Sequence, residues 1–164
     1  MAGSARTSDG PWRYLVALGS NRRHRRHGAP EQVLRAALAQ LGVEAASPIV
    51  ASAPIGPSRR RYANAAAIVC TRESPPELLA RLKSIERAFG RTRGGQRWGA
   101  RVLDLDIVLW QGGAWASPGL IVPHPGFRER AFVLAPAARI APSWRDPVTG
   151  LTLRQLHARL TRKV

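Results

Sequence analysis

From Tyr14 to Leu18 the chain is continuously apolar, a length that suits a buried strand. Farther on, Val33, Leu34, Ala37, Leu38 and Leu41 recur at helical spacing, with Pro30 in the first turn and Gly42 at the end. Val43 to Ala53 is mostly extended, with Pro48 marking a bend or an edge, and Ala63 to Thr71 is another long apolar run. Ser74-Pro-Pro-Glu77 is a helix start, and Leu78, Leu82, Ile85 and Phe89 form the buried stripe behind it. Next comes strict alternation: Leu103, Leu105, Ile107 and Leu109 on one face, and Val102, Asp104, Asp106, Val108 and Trp110 on the other. A short apolar segment at 120–122, a helical turn from Phe127 to Arg130 and a helix with Leu153, Leu156 and Leu160 inward complete the pattern. The order strand, helix, strand, strand, helix, strand predicts an α+β fold, a ferredoxin-like antiparallel sheet with helices packed on one face.

Length and composition narrow this picture. A chain of 164 residues suits one domain with a real core, and 45% hydrophobic content excludes a disordered chain. Residues 1–12 read as a disordered leader and 13–164 as the single domain. No run approaches the roughly 18 apolar residues of a membrane span, and the lone Cys70, placed in core packing, fits a reducing compartment. The expectation is a cytoplasmic protein, monomeric and without a membrane partner. The net charge of +16 comes almost wholly from arginine and calls for a polyanion, without choosing among a nucleotide triphosphate, nucleic acid and a membrane surface. Arg22 to His27 is the densest basic run and reads as a solvated loop. His24 and His27 are poor metal ligands there, because their arginine neighbours repel a cation.

Asp104 and Asp106 change the picture most. On one face of a strand they lie roughly 6 to 7 Å apart, repel each other and lose hydration. A hard divalent cation relieves this, and magnesium takes one or two carboxylates together with water and phosphate oxygens. Arg91, Arg93, Arg97 and Arg101 precede the acids in a glycine-rich segment and can grip phosphates. An ion-pair cluster of the acids with Arg97 and Arg101 is the plain structural alternative.

The run Arg97-Trp-Gly-Ala-Arg-Val-Leu-Asp-Leu-Asp-Ile107 resembles the hallmark motif of the 6-hydroxymethyl-7,8-dihydropterin pyrophosphokinases. Gly19-Ser-Asn21 and Val122-Pro-His124, with Arg130 and Phe132 beyond, match in the same order, so the resemblance covers about residues 13 to 160. It implies pyrophosphoryl transfer from ATP to the hydroxymethyl dihydropterin in folate synthesis, releasing AMP. It further implies that Asp104 and Asp106 hold two Mg²⁺ ions, with Arg91 and Arg101 catalytic beside them. For the pterin it implies stacking between Tyr62 and Phe132, an edge contact from Asn64, and a lining from Ser52, Ile55 and Gly56. For the nucleotide it implies Glu86, Arg93, Arg97, Trp98, Arg101, Ile107, His124 and Arg130. Read without the resemblance, Tyr62 and Asn64 simply share a face at a strand start, where a ring and an amide suit a flat heterocycle.

Some positions depart from the family pattern. Ala100 stands for a usual proline, Lys83 for a frequent glutamine, Trp110 for a phenylalanine and Pro125 for a frequent tyrosine. A related pterin of the methanopterin type is therefore a second possible substrate. A basic nucleic-acid-binding protein on the same fold is the alternative from another class, disfavoured because strand acids repel phosphate. The glycines and arginines of 90–101 predict a segment that is mobile without ligand and closes over the triphosphate.

Overall fold

The structure, a computed structural model of the chain, describes residues 10–52, 61–90 and 101–163. Among these residues, seven strands and four α-helices follow one another as β1 (Trp12–Ser20), α1 (Pro30–Leu41), β2 (Ala45–Ala46), β3 (Val50–Ser52), β4 (Tyr62–Thr71), α2 (Pro75–Ala88), β5 (Asp104–Trp110), β6 (Trp115–Ser117), β7 (Leu120–Val122), α3 (Ala131–Ile140) and α4 (Leu153–Arg162). A 3₁₀ turn, Phe127–Glu129, leads into α3. Strand β1 begins at Trp12, within the expected leader, because Trp12 packs edge-on against Trp110 at 5.2 Å between ring centroids.

Local chemistry accounts for the helix ends. Ser74 Oγ accepts from the Glu77 N–H, and the Glu77 carboxylate accepts from the Ser74 N–H at 2.7 Å, a reciprocal cap at the start of α2. Gly42 ends α1 with φ of 66°, a left-handed turn that a Cβ would disfavour. Pro48 splits the expected extended segment into β2 and β3, both of which pair with β4.

The main sheet runs β2-β4-β1-β5, all antiparallel, with β3 also on β4. This is the expected α+β sandwich. Helices α1 and α2 cover one face, where Val33, Leu34, Leu78 and Leu82 meet Val16, Leu18, Ala65 and Leu105. The expectation of helices on one face alone does not hold. Helices α3 and α4 cover part of the other face, where Val133, Leu134, Leu153 and Leu156 meet Leu15, Ala66, Ile68 and Val108.

The expected strict alternation along β5 is also corrected. Leu15 pairs with Leu109 but Val16 pairs with Ile107, so Val108 is an extra residue, a β-bulge. Beyond it the faces exchange: Leu109 turns to the α3 side and Trp110 to the α1 and α2 side. Cys70 is exposed rather than in the core, because it lies past Ile68 on the face that α3 and α4 leave uncovered.

One buried ion pair fastens the C-terminal elements. Arg128 donates through Nε at 2.6 Å and Nη2 at 2.8 Å to the carboxylate of Asp146, which is fully buried in the α3–α4 connection. Thr149 Oγ1 donates to the same carboxylate at 2.7 Å and the Val148 N–H at 3.1 Å. Burial alone would raise this carboxyl, but the hydrogen bonds from Arg128, Thr149 and Val148 hold it down at about 2. Among the described residues, no helix is long and apolar enough to cross a membrane.

Candidate active site

The site is built on the end of the sheet face that α3 and α4 leave open. At its centre is Gly19 of β1, which pairs with Asn64 of β4 on one side and with Asp104 of β5 on the other. A Cβ on Gly19 would lie 3.4 Å from Asn64 Oδ1, so the missing side chain leaves the strip between amide and carboxylate open. One pair farther along, Ala17 faces Asp106. Small residues on the central strand thus form a floor, and the polar groups stand on the strands beside it. Because β5 alternates regularly before its bulge, both acids share the face of Asn64.

Electrostatics at the acids is uneven. Asp104 accepts from Arg101 Nη1 at 3.1 Å. Asp106 is half-buried, and desolvation, then the neighbouring Asp104, pushes its carboxyl above the usual range, while His124 and Lys83 pull it down. The backbone N–H of His124 donates to the Val108 carbonyl at 3.0 Å, which sets the histidine beside β5.

Behind the acids, Glu86 of α2 is fully buried. Its carboxylate accepts from the Leu105 N–H at 2.8 Å, between the two acids in sequence, and Lys83 Nζ lies 3.3 Å from it. Ile107, buried as well at 3% exposed, points into the core between the sheet and α1 and α2. Glu86 and Ile107, expected at a nucleotide, are thus placed within the body of the protein, on the side that supports β5.

The loop after β1 reaches both ends of the arginine-rich segment. Asn21 Oδ1 accepts from the Arg101 N–H at 2.6 Å, and the Asn21 N–H donates to the Arg101 carbonyl at 3.1 Å. Three residues on, His24 and His27 stack at 4.8 Å between ring centroids, and His27 stacks on Phe89 at 5.0 Å. Burial lowers the His24 imidazole below its ordinary value, with His27 and Arg26 adding to the effect. Periodicity carried no signal for this brace, since Asn21 and Arg101 are far apart in the chain and meet only through the register of β1 on β5.

Helix α3 packs on β4, and its start carries the remaining candidates. Arg130 is its N-cap, and its guanidinium lies 6.0 Å from the ring centroid of Phe132, which is 42% exposed for a large apolar side chain. Tyr62 is half-buried at the start of β4, opposite the backbone of Ser52. The side chain of Ser52, together with Ile55, Gly56, Arg91, Arg93, Arg97 and Trp98 and the expected closure of 90–101, lies outside the described residues.

The family model for 7,8-dihydro-6-hydroxymethylpterin-pyrophosphokinase (HPPK) matches residues 15–142, a span that contains Gly19, Asn64, Asp104, Asp106 and Phe132. The chain belongs to the HPPK family. It is 41% identical over 148 residues to the 2-amino-4-hydroxy-6-hydroxymethyldihydropteridine pyrophosphokinase of Synechocystis sp., covering 87% of this chain and 73% of the relative. The enzyme of the same name from Pseudomonas aeruginosa is 40% identical over 142 residues, 82% of this chain and 84% of the relative. The HPPK fold is also seen in the crystal structure of wild-type HPPK-DHPS from Plasmodium falciparum, with a TM-score of 0.74 at 12% identity, covering 96% of this chain and 42% of that one. Within the HPPK framework, the face that holds Asn64, Asp104 and Asp106 is the candidate active site.

Proposed function

We propose that this HPPK-family enzyme transfers pyrophosphate from ATP to the hydroxymethyl group of 6-hydroxymethyl-7,8-dihydropterin, giving the pterin pyrophosphate and AMP, in folate biosynthesis. The observation that carries the reading is the placement of Asn64, Asp104 and Asp106 on one open face across Gly19. The pterin hydroxyl oxygen forms a bond to the β-phosphorus as its O–H bond breaks and the proton passes to solvent, and the bond from that phosphorus to the α,β-bridging oxygen breaks, releasing AMP.

The acids suit magnesium. Asp106 is desolvated beside a second carboxylate, and two carboxylates with water and phosphate oxygens are the set magnesium prefers. Bound between Asp104, Asp106 and the triphosphate, two Mg²⁺ ions would neutralise phosphate charge. Arg101 already leans on Asp104, so its guanidinium is poised where charge develops on the phosphates, with Arg91, Arg93, Arg97, Trp98, His124 and Arg130 completing the nucleotide side. Glu86 acts through the Leu105 N–H as a positioning residue, holding the stretch between the two acids in register. Ile107 supports the same strand from the core.

Tyr62 and Phe132 hold the pterin between them, Asn64 reads its edge, and Ser52, Ile55 and Gly56 line the pocket. The exposure of Phe132 supports this, since a ring that is 42% exposed beside a polar face has area to give a ligand. Alanine at Tyr62 or Phe132 is expected to raise the pterin Kd several-fold, each ring contributing about 1 kcal/mol beyond area burial. Unchanged calorimetric affinity in both variants would move the pterin elsewhere. Asn21→Ala, which frees the Arg101 end of the segment, is expected to lower kcat while leaving pterin Kd unchanged. An equal loss in both would make Asn21 a pterin ligand instead.

A cytoplasmic monomer is part of this reading. The test of the reaction is AMP release from ATP, measured with 6-hydroxymethyl-7,8-dihydropterin, with a methanopterin-type analogue, and with neither. AMP that appears at the same rate without pterin would refute it, and preference for the analogue would reassign the substrate.

A further inference from the structure

We propose that His24 and His27 are positioning residues for the pyrophosphoryl transfer, a role that rests on the reaction proposed above: stacked on Phe89, they pin the loop after β1, and through Asn21 of that loop they fix Arg101 beside Asp104. The Arg22 to His27 run is an organised turn. The His24 N–H donates to the Gly28 carbonyl at 2.8 Å and the Gly28 N–H donates back to the His24 carbonyl at 2.9 Å, which closes it. Inside, His24 Nδ1 accepts from the Arg26 N–H at 3.0 Å and from the His27 N–H at 3.1 Å. Arg22, Arg23, Arg25 and Arg26 are exposed, whereas His24 and His27 are half-buried.

What the two histidines turn toward is one aromatic anchor. Phe89, 4% exposed, belongs to the core beneath α1 and α2, and its N–H donates to the Ile85 carbonyl at 3.1 Å at the end of α2. His27 lies nearly flat on it, with 26° between the ring planes at 5.0 Å between centroids, and His24 stands 5.8 Å from it and 4.8 Å from His27. Four neighbouring guanidiniums repel one another and draw such a loop into solvent, so two stacked rings on a buried ring oppose that tendency. The same loop holds Arg101 at its other end. Asn21 accepts the Arg101 N–H at 2.6 Å through Oδ1 and donates its own N–H to the Arg101 carbonyl at 3.1 Å, while Arg101 Nη1 reaches Asp104 at 3.1 Å. Two hydrogen bonds on a highly charged loop open readily unless the loop is anchored elsewhere. The ring stack supplies that anchor, so the histidines act on Arg101 through Asn21.

The test uses the full chain with His27→Ala, His27→Phe and His24→Asn, and three readouts: hydrogen exchange of the Arg101 amide without ligand, kcat for AMP release, and the pterin Kd. In His27→Ala, Arg101 exchange is expected to rise about tenfold or more and kcat to fall about tenfold, with the pterin Kd unchanged. His27→Phe keeps a flat ring on Phe89 and should bring both back to within about twofold of wild type. His24→Asn keeps an acceptor for the two N–H groups of the turn but loses one ring, so it should fall between, and it judges the role if His27→Ala does not fold. Unchanged exchange in the folded ring-deficient variants would overturn the proposal. Raised exchange with unchanged kcat would make the rings mere packing, a Phe variant as impaired as the Ala variant would rule out stacking as the cause, and a parallel loss of pterin affinity would mean general loosening. Each of these overturns the role. A wild type whose AMP release ignores pterin would refute the reaction and the role with it, and the exchange readout, which needs no turnover, tells that failure from a failure of the ring anchor.

Discussion

Asp106→Ala is expected to reduce turnover by about 10²- to 10³-fold or more while the metal-free protein melts at the same temperature or higher. Removing one carboxylate from a desolvated like-charged pair relieves repulsion in the folded state, and that gain has a definite pH dependence. Desolvation and Asp104 raise the folded Asp106 carboxyl above its unfolded value, so the fold tolerates Asp106 best when it is protonated. Stability is therefore lost as pH rises through the raised folded value. The variant should gain over wild type at neutral pH and lose that advantage in acid. Thermal melts with and without magnesium at both pH values check this. A variant that unfolds, beside a wild type whose melting ignores magnesium, would make the acids structural.

Arg128→Ala is expected to cost about 3 kcal/mol or more of stability, because it leaves the fully buried Asp146 carboxylate without its charged partner. The pH dependence has the opposite sign to that of Asp106. Asp146 is held down at about 2 in the folded protein against about 4 when unfolded, so its contribution is complete above about 4 and is lost as pH falls through about 2. Urea unfolding at pH 7 and pH 3 should show wild type losing stability in acid and Arg128→Ala losing much less. A variant within about 0.5 kcal/mol of wild type at pH 7 would show the pair to be neutral. Because this pair ties the turn before α3 to the α3–α4 connection, partial loss of activity is expected through displacement of Arg130 and Phe132.

The helices and the acids could be read from the chain because their causes are local. Pro30 and Gly42 bound α1, and Ser74 with Glu77 caps α2, through contacts within a few residues. Asp104 and Asp106 share a face because two residues is one strand period, and no tertiary contact is needed to say so. The family motif added Tyr62, Asn64, His124, Arg130 and Phe132 as candidates, residues whose types alone carry little signal.

What the chain could not show is where distant segments meet. Alternation predicted one face for Leu109 and another for Trp110, but the Val108 bulge exchanges them, and a bulge depends on how β5 registers against β1. Cys70 lies in an apolar run, yet whether its face is covered depends on how far α3 and α4 extend across the sheet. Glu86 reads as a surface charge on α2 until β5 lays the Leu105 N–H across it. The sequence by itself determined the periods, caps and motif, since each is written in neighbouring residues. Tertiary structure alone decided the open floor at Gly19, the Asn21 clamp on Arg101 and the buried support beneath the acids, because strand register and helix coverage are set by packing among residues far apart in the chain.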